Sequence, residues 1–353
     1  MKAIIRHLCL ALIIICMLLM GCSPAKEGKI EMLILNAGSL VVPMQQLEES
    51  FEALYPEVDI RFEGHGSIQV IRHITEIGDP ADVAIVADYS LFPLLMYQAK
   101  MENGSPFADW NIQFATNKMG IAYTPDSIYA NEITAENWYD ILRRPDVNFG
   151  LADPRIDSIG YRTMMILQLA EEYYKDSNIF EDIITDNLRS TVSSREEDGY
   201  YTISIPELLE SSNRRIYLRG FSVQLLALLE SRQIDYAFQY ESVALQHGLG
   251  YLELPAVIDM SATNLAEHYA HVTVALDFQR FKSVNPVFKG EPIIYGITIP
   301  KSAPNPELAE KFIEFLLGEE GQRILQENFQ PQIIPPHTDN IEGVPISLRG
   351  LLD

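Results

Sequence analysis

Ile30-Glu31-Met32-Leu33-Ile34-Leu35, then Asn36-Ala37-Gly38-Ser39, then Met44, Leu47, Phe51 and Leu54 at spacings of 3, 4 and 3: this stretch carries the fold in miniature. The first six residues form a short, mostly apolar run of strand length, the next four a turn, and the recurring apolar positions lie on one face of a helix. Pro43 sits near that helix's start, where a missing N–H costs little, and Pro56 lies beyond its end. The unit then repeats. Val58-Asp59-Ile60-Arg61-Phe62 alternates as a strand does, Gly64-His65-Gly66-Ser67 is a second loop, and Val70, Ile71, Ile74 and Ile77 mark a helix stopped by Gly78. Ala81-Asp82-Val83-Ala84-Ile85-Val86-Ala87 is a third strand, ending at Asp88-Tyr89-Ser90 before another apolar helix. Such alternation predicts an α/β architecture with helices on both faces of a parallel sheet. Ligands of such sheets collect at the carboxyl ends of the strands, beside helix N-termini. Both Gly-Ser loops fall on that edge.

Upstream, Lys2 and Arg6 precede an apolar run from Leu8 to Met20 that is short for a bilayer span. The run ends in Leu19-Met20-Gly21-Cys22, which resembles a bacterial lipobox, so residues 1–21 are expected to be a lipoprotein signal peptide, Cys22 the acylated N-terminus and residues 22–29 a tether. An uncleaved membrane anchor is the weaker alternative, because Gly21-Cys22 stands where the apolar run stops. The three cysteines, Cys9, Cys16 and Cys22, all lie in this segment, so disulfides and Cys-ligated metals are not expected in the folded body. Net charge is −23, which argues against a nucleic-acid partner. It does not argue against an anionic ligand, since backbone N–H dipoles and hydroxyls act locally and surface charge is screened beyond about 8 Å in physiological salt.

Downstream, residues 114–123 and 292–300 read as strands that join two lobes, giving lobe 1 as 30–115 plus 300–345 and lobe 2 as 116–299. A last helix is signalled by Asn305 as N-cap, Pro306 at its first position, Leu308, Phe312, Phe315 and Leu316 on its apolar face and Gly318 as its stop, and it is expected to pack on the first lobe. Residues 189–207 are polar and weakly patterned and read only as surface.

Several short stretches are similar, in order and spacing, to the archaeal-type tungstate/molybdate-binding proteins: Asn36-Ala37-Gly38-Ser39-Leu40, Gly66-Ser67-Ile68, Pro80-Ala81-Asp82-Val83 with Ala87-Asp88-Tyr89, residues 137–147, Gly160-Tyr161-Arg162-Thr163, and Ser242-Val243-Ala244 with Gln246-His247. The resemblance runs from about Leu33 to Pro336. It implies a type II periplasmic-binding-protein fold, two α/β lobes joined by two crossing strands with an oxyanion in the cleft between them. It further implies capture of tungstate or molybdate for an ABC importer, with the permease as partner, membrane attachment through Cys22, no enzymatic activity and no cofactor beyond the ligand. A monomer is expected.

Candidate ligand residues follow from both readings. Ser39 and Ser67 each come after a glycine and just ahead of a helix whose dipole favours an anion. Either serine alone would read better as a plain N-cap, but two equivalent ones at one sheet edge, within the family resemblance, favour ligand contact. Asp88 reads first as a cap for the helix after it, with its backbone N–H toward the cleft. The resemblance implies an aspartate and a glutamate that bond the metal centre of the bound oxyanion. Asp157, in Arg155-Ile156-Asp157-Ser158-Ile159-Gly160-Tyr161-Arg162, stands in the family's aspartate run, its alternative being a turn aspartate. The glutamate's place is taken by Ser222, which is either an anion donor or an N-cap. The family's cleft tyrosine falls on Tyr240. Arg162 is a candidate partner for Asp157, and Trp138 and Tyr139 read as packing residues. Other readings are a receptor or sensor for sulfate or phosphate, and a cleft hydrolase, for which the sequence offers no Gly-x-Ser-x-Gly elbow, P-loop or His-partnered nucleophile.

Overall fold

A computed structural model describes residues 28–213, 215–281 and 286–352. The expected signal peptide, the acylated Cys22 and most of the tether lie outside the described residues. Strands β1 (Ile30–Ala37), β2 (Val58–His65), β3 (Val83–Val86) and β4 (Ile112–Thr116) open the first lobe. The chain then crosses at Asn117-Lys118 into β5 (Met119–Tyr123), β6 (Phe149–Ala152), β7 (Ser193–Glu197), β8 (Tyr200–Ile205) and β9 (Ile216–Arg219). It continues through β10 (Tyr236–Tyr240), β11 (Gly250–Glu253), β12 (Val272–Leu276) and β13 (Val287–Lys289), and returns as β14 (Ile294–Thr298) and β15 (Gln332–Thr338).

The first sheet runs β15-β4-β14-β3-β1-β2, with β1 parallel to both β2 and β3 as the repeated strand-helix unit requires. Because β14 pairs with β3 and β4, the return crossing precedes it and residues 294–298 belong to the first sheet, ahead of the boundary at 299/300 drawn from the sequence. A second sheet, β11-β5-β10-β6-β9, forms the other lobe. The third sheet, β13-β12-β8-β7, was not foreseen: residues 189–207, read as surface, supply its β7–β8 hairpin and bury Ile203 and Ile205. The overlooked signal is Asp198-Gly199, both at positive φ (53° and 83°), the two-residue turn chemistry of a hairpin.

Helix α1 (Val41–Leu54) buries Met44, Leu47 and Phe51. Helix α2 (Ser67–Arg72) continues as one wider turn to Ile77, and Gly78 ends it at φ +88°. Leu54 and Ile77, the last apolar position of each helical pattern, are exposed. Helix α3 (Trp138–Arg143) places Trp138 in the second lobe's core against Phe238 and Tyr174. Helix α4 (Ser158–Tyr174) is buried on every side from Ser158 to Ala170, because it lies between the second and third sheets. Helix α5 (Pro306–Leu317) returns to the first lobe, where Phe312 and Phe315 meet Phe51 edge-on at 5.5 Å. Asn305 occupies its N-cap position, but its side chain bonds Glu31 and Asp82 and not the helix.

Candidate functional site

Three first-lobe segments converge on the cleft: the turn after β1 with Ser39, the start of α2 with Ser67, and the end of β3 with Ala87 and Asp88. Facing them are the start of α4 with Asp157 to Arg162, the turn at Ser222, and the end of β10 at Tyr240. Asn117, at the first crossing, donates to the hydroxyl of Tyr295, in β14 just after the return crossing. Ser39, Ser67, Asp88, Asp157, Ser222 and Tyr240 are all buried.

The lobes are in contact. Gln69 N–H donates to Ile156 O at 3.3 Å, and a Cβ on Gly66 would fall 2.3 Å from that carbonyl oxygen, so only glycine lets the two backbones approach this closely. Across this contact Ser67 Oγ accepts from Ala87 N–H at 3.0 Å and lies 3.3 Å from Ser158 Oγ, itself 3.2 Å from the Tyr240 hydroxyl. Arg162 stands behind them: Nη1 donates to the Tyr240 hydroxyl at 2.5 Å and to Ala87 O at 2.8 Å, and Nη2 lies 3.2 Å from Asp88 Oδ2. Tyr161 donates to the same carboxylate oxygen, whose partner Oδ1 accepts from Ser90 N–H and Oγ–H. Asp88 therefore closes a local turn on Ser90 ahead of the next helix, whose own N-cap position, Leu91, has no side-chain cap, so the cap expected from sequence is replaced by a turn; its other oxygen ties the two lobes together. Arg162 pairs with Asp88, not with Asp157 as expected.

Asp157 is the N-cap of α4. Its Oδ1 accepts from Ile159 N–H at 3.1 Å and its Oδ2 from Ser222 N–H at 2.8 Å. Burial pushes the carboxyl up to about 6, and those two N–H bonds oppose the shift. Burial alone would lower Arg162, but Tyr240 and Asp88 outweigh it and hold the guanidinium above its ordinary range. Burial raises the Tyr240 phenol too, so its proton stays available for donation. On the opposite side Ser39 Oγ lies 2.8 Å from the Tyr295 hydroxyl, which also accepts from Asn117 Nδ2 at 3.2 Å, while that amide reaches Ser242 Oγ at 2.8 Å.

Neither Ser39 nor Ser67 caps its helix through its side chain. The Ser67 hydroxyl faces Ser158 of the other lobe and the Ser39 hydroxyl faces Tyr295 of its own sheet, and a small rotation turns either into a donor. The sequence reading missed Ser158, Asn117 and Tyr295. Ser158 had a signal in plain sight, a hydroxyl directly after an N-cap aspartate. Asn117 sits on the first crossing and Tyr295 in β14 just after the return crossing, where no strand-helix pattern marks a site.

Two α/β lobes closed over buried hydroxyls, a buried guanidinium and helix starts define a two-lobed solute-binding protein. A model of the bacterial extracellular solute-binding proteins matches residues 32–329, and the chain belongs to that family. It is 39% identical to an uncharacterized solute-binding protein of Methanoculleus marisnigri, over 92% of this chain and 87% of the relative. It is 36% identical to the molybdate/tungstate-binding protein WtpA of Thermococcus kodakarensis, over 93% and 88% of the two chains, and 36% identical to that of Pyrococcus abyssi, over 98% and 97%. Among solved structures, the periplasmic molybdate-binding protein of Azotobacter vinelandii superposes with a TM-score of 0.51 at 14% identity, over 86% of this chain and 99% of that one. A substrate-binding protein of an ABC transporter from Agrobacterium tumefaciens gives 0.54 at 15% identity, over 87% and 80%. These structural likenesses speak to the type II fold. No helix among the described residues is long and apolar enough to cross a membrane.

Proposed function

We propose that the chain captures tungstate or molybdate in the interlobe cleft and hands it to the permease of an ABC importer, held near the membrane by an acylated Cys22. The observation that carries this reading is the convergence of Ser39, Ser67, Ser158, Ser222 and Tyr240 from both lobes on one buried site backed by Arg162. A tetrahedral dianion needs several short donors from opposite directions, and hydroxyls and helix-start N–H groups supply them with little counter-charge. The 36% identity to two relatives named for molybdate and tungstate narrows the class of oxyanion. In this proposal Asp157, oriented by its two N–H bonds, adds an oxygen to the metal centre, Ser222 donates where the family's glutamate would coordinate, and Asp88 contributes its backbone N–H while its side chain balances Arg162.

A second reading has an observation of its own. Monohydrogen phosphate carries a proton that needs an acceptor, and the Asp157 carboxylate is one. Titration calorimetry of the desalted protein with tungstate, molybdate, sulfate and phosphate separates the two. Tight binding of the first pair with little heat from the others is expected; comparable sulfate or phosphate binding, or no heat with any of them, sinks the metal-oxyanion reading.

A further inference from the structure

Far from the cleft, α4 emerges from between its two sheets and exposes Glu172. Ten residues of helix separate it from Arg162, about 15 Å at 1.5 Å per residue. Packed beside it is the segment that leads into β12, with His268 in a single helical turn (Ala266–Tyr269) and His271 just after it. His271 N–H donates to His268 O at 3.1 Å, so the two imidazoles share one side of the turn, with ring centroids 5.9 Å apart. One ligating atom from each of Glu172, His268 and His271 lies within 4.8 Å of the others.

A second observation shows that this is more than proximity. His268 Nε2 lies 3.0 Å from Val257 O, and a carbonyl only accepts, so Nε2 carries the proton and the lone pair is on Nδ1. A ring nitrogen donating to a backbone carbonyl while the other nitrogen is free is the arrangement that orients a metal-binding histidine. The turn carrying it is fixed: Tyr269 is fully buried, donates to Ala256 O and accepts from Ala262 N–H at 3.2 Å.

We propose that Glu172, His268 and His271 form a binding site for a divalent transition-metal ion of the zinc type, separate from the ligand cleft. Two imidazoles and a carboxylate suit that class of ion and leave a fourth position for water. Ligand bonds of about 2.0–2.2 Å place tetrahedral donor atoms about 3.4 Å apart, so the trio must contract, and exposed Glu172 has the rotamer freedom to do it. The ion would clamp the 256–271 segment to α4 and so stiffen the second lobe.

The test is calorimetric titration of ZnCl2 into the metal-free, desalted protein, with MgCl2 as control, read together with the thermal melting midpoint. One equivalent of zinc should bind and raise the midpoint, and magnesium should do neither. Glu172→Gln and His271→Gln should each weaken zinc binding at least tenfold while leaving oxyanion affinity unchanged, which shows that the variants are folded. Zinc binding that is absent, that persists undiminished in both variants, or that magnesium matches would each overturn the site.

Discussion

Ser39 and Ser67 occupy the same sentence of sequence, a glycine, a serine and then a helix, yet the fold uses them differently. Ser39 bonds Tyr295, a residue of its own sheet, so its hydroxyl is held within one lobe. Ser67 accepts from Ala87 N–H and faces Ser158 across the cleft, so its hydroxyl belongs to the contact that keeps the lobes together. Identical local chemistry thus splits into a one-lobe role and a two-lobe role, and the difference is set by what lies opposite. The Ser67 side has the buried Asp88–Arg162 pair behind it, one partner from each lobe. The Ser39 side has neutral groups, Tyr295 and Asn117.

The strongest way to break this asymmetry is Arg162→Met. Removing one partner of a buried ion pair leaves the other uncompensated, at a cost of about 3–5 kcal/mol. Here the partners come from different lobes, so the molecule escapes the cost by staying open, where Asp88 is hydrated. Tungstate affinity should therefore fall by several hundredfold or more, with a much smaller change in the urea midpoint of the ligand-free protein. A full loss of stability with intact affinity per folded molecule would show that the pair serves folding and not closure.

Ser67→Ala and Ser39→Ala sharpen the comparison directly. In the proposed site each substitution removes one charge-assisted hydrogen bond to the anion, about 1.5–3 kcal/mol in calorimetry, and Ser67→Ala should lie at the upper end because the lobe contact goes with it. If either alanine lowers the melting temperature while leaving affinity intact, that serine is structural. Gly66→Ala acts on the same contact without touching a donor. Its Cβ would meet Ile156 O at 2.3 Å in the closed form, so closure and affinity should weaken by about 1–3 kcal/mol, while the open form, measured by small-angle scattering, remains as compact as the parent's. Unchanged affinity would mean that the anion is held without this approach.

Much of this was legible in advance because the first lobe is built from local signals. The spacing of Met44, Leu47 and Phe51, the stop at Gly78 and the Asn305-Pro306 start each depend on a few neighbouring residues, and each reappears in the fold. The serines were visible for the same reason, since a Gly-Ser step ahead of a helix is a short-range pattern. What escaped depends on partners far away in the chain. Arg162 was assigned to Asp157, five residues off, while its partner Asp88 comes from the other lobe. Tyr295 reaches Ser39 over an even longer separation. The β7–β8 hairpin was hidden by composition: Ser193-Ser194-Arg195-Glu196-Glu197 has no apolar alternation because that edge strand is largely exposed. Its clues were the Asp198-Gly199 turn and the alternating Tyr201, Ile203 and Ile205 of the second strand.

The remaining asymmetry is one of charge. The second lobe brings a carboxylate, Asp157, to a site otherwise suited to an anion, and its protonation decides whether it helps or hinders. Its carboxyl is raised from 3.8 to about 6, so between those values the folded chain holds a proton that the unfolded chain has released. Its contribution to stability is thus fully present below about 4 and lost as pH rises through about 6, opposite to the usual salt-bridged carboxylate. Binding carries a sign of its own. If the ionised carboxylate bonds the metal centre, the bound state must shed that proton, and tungstate affinity should be level above about pH 6 and fall, by at most tenfold per unit, toward pH 5. If Asp157 only repels the dianion, affinity should rise over the same interval. Asp157→Asn removes the titration and keeps the cap, because an asparagine oxygen also accepts from Ile159 N–H. Its affinity should be flat with pH and lower than that of the parent at neutral pH. Calorimetry of both proteins between about pH 5 and 7.5 reads the slope. A parent that binds more tightly on acidification, beside an asparagine variant that binds at least as well at neutral pH, would remove Asp157 from the coordination shell and leave the anion to the hydroxyls alone.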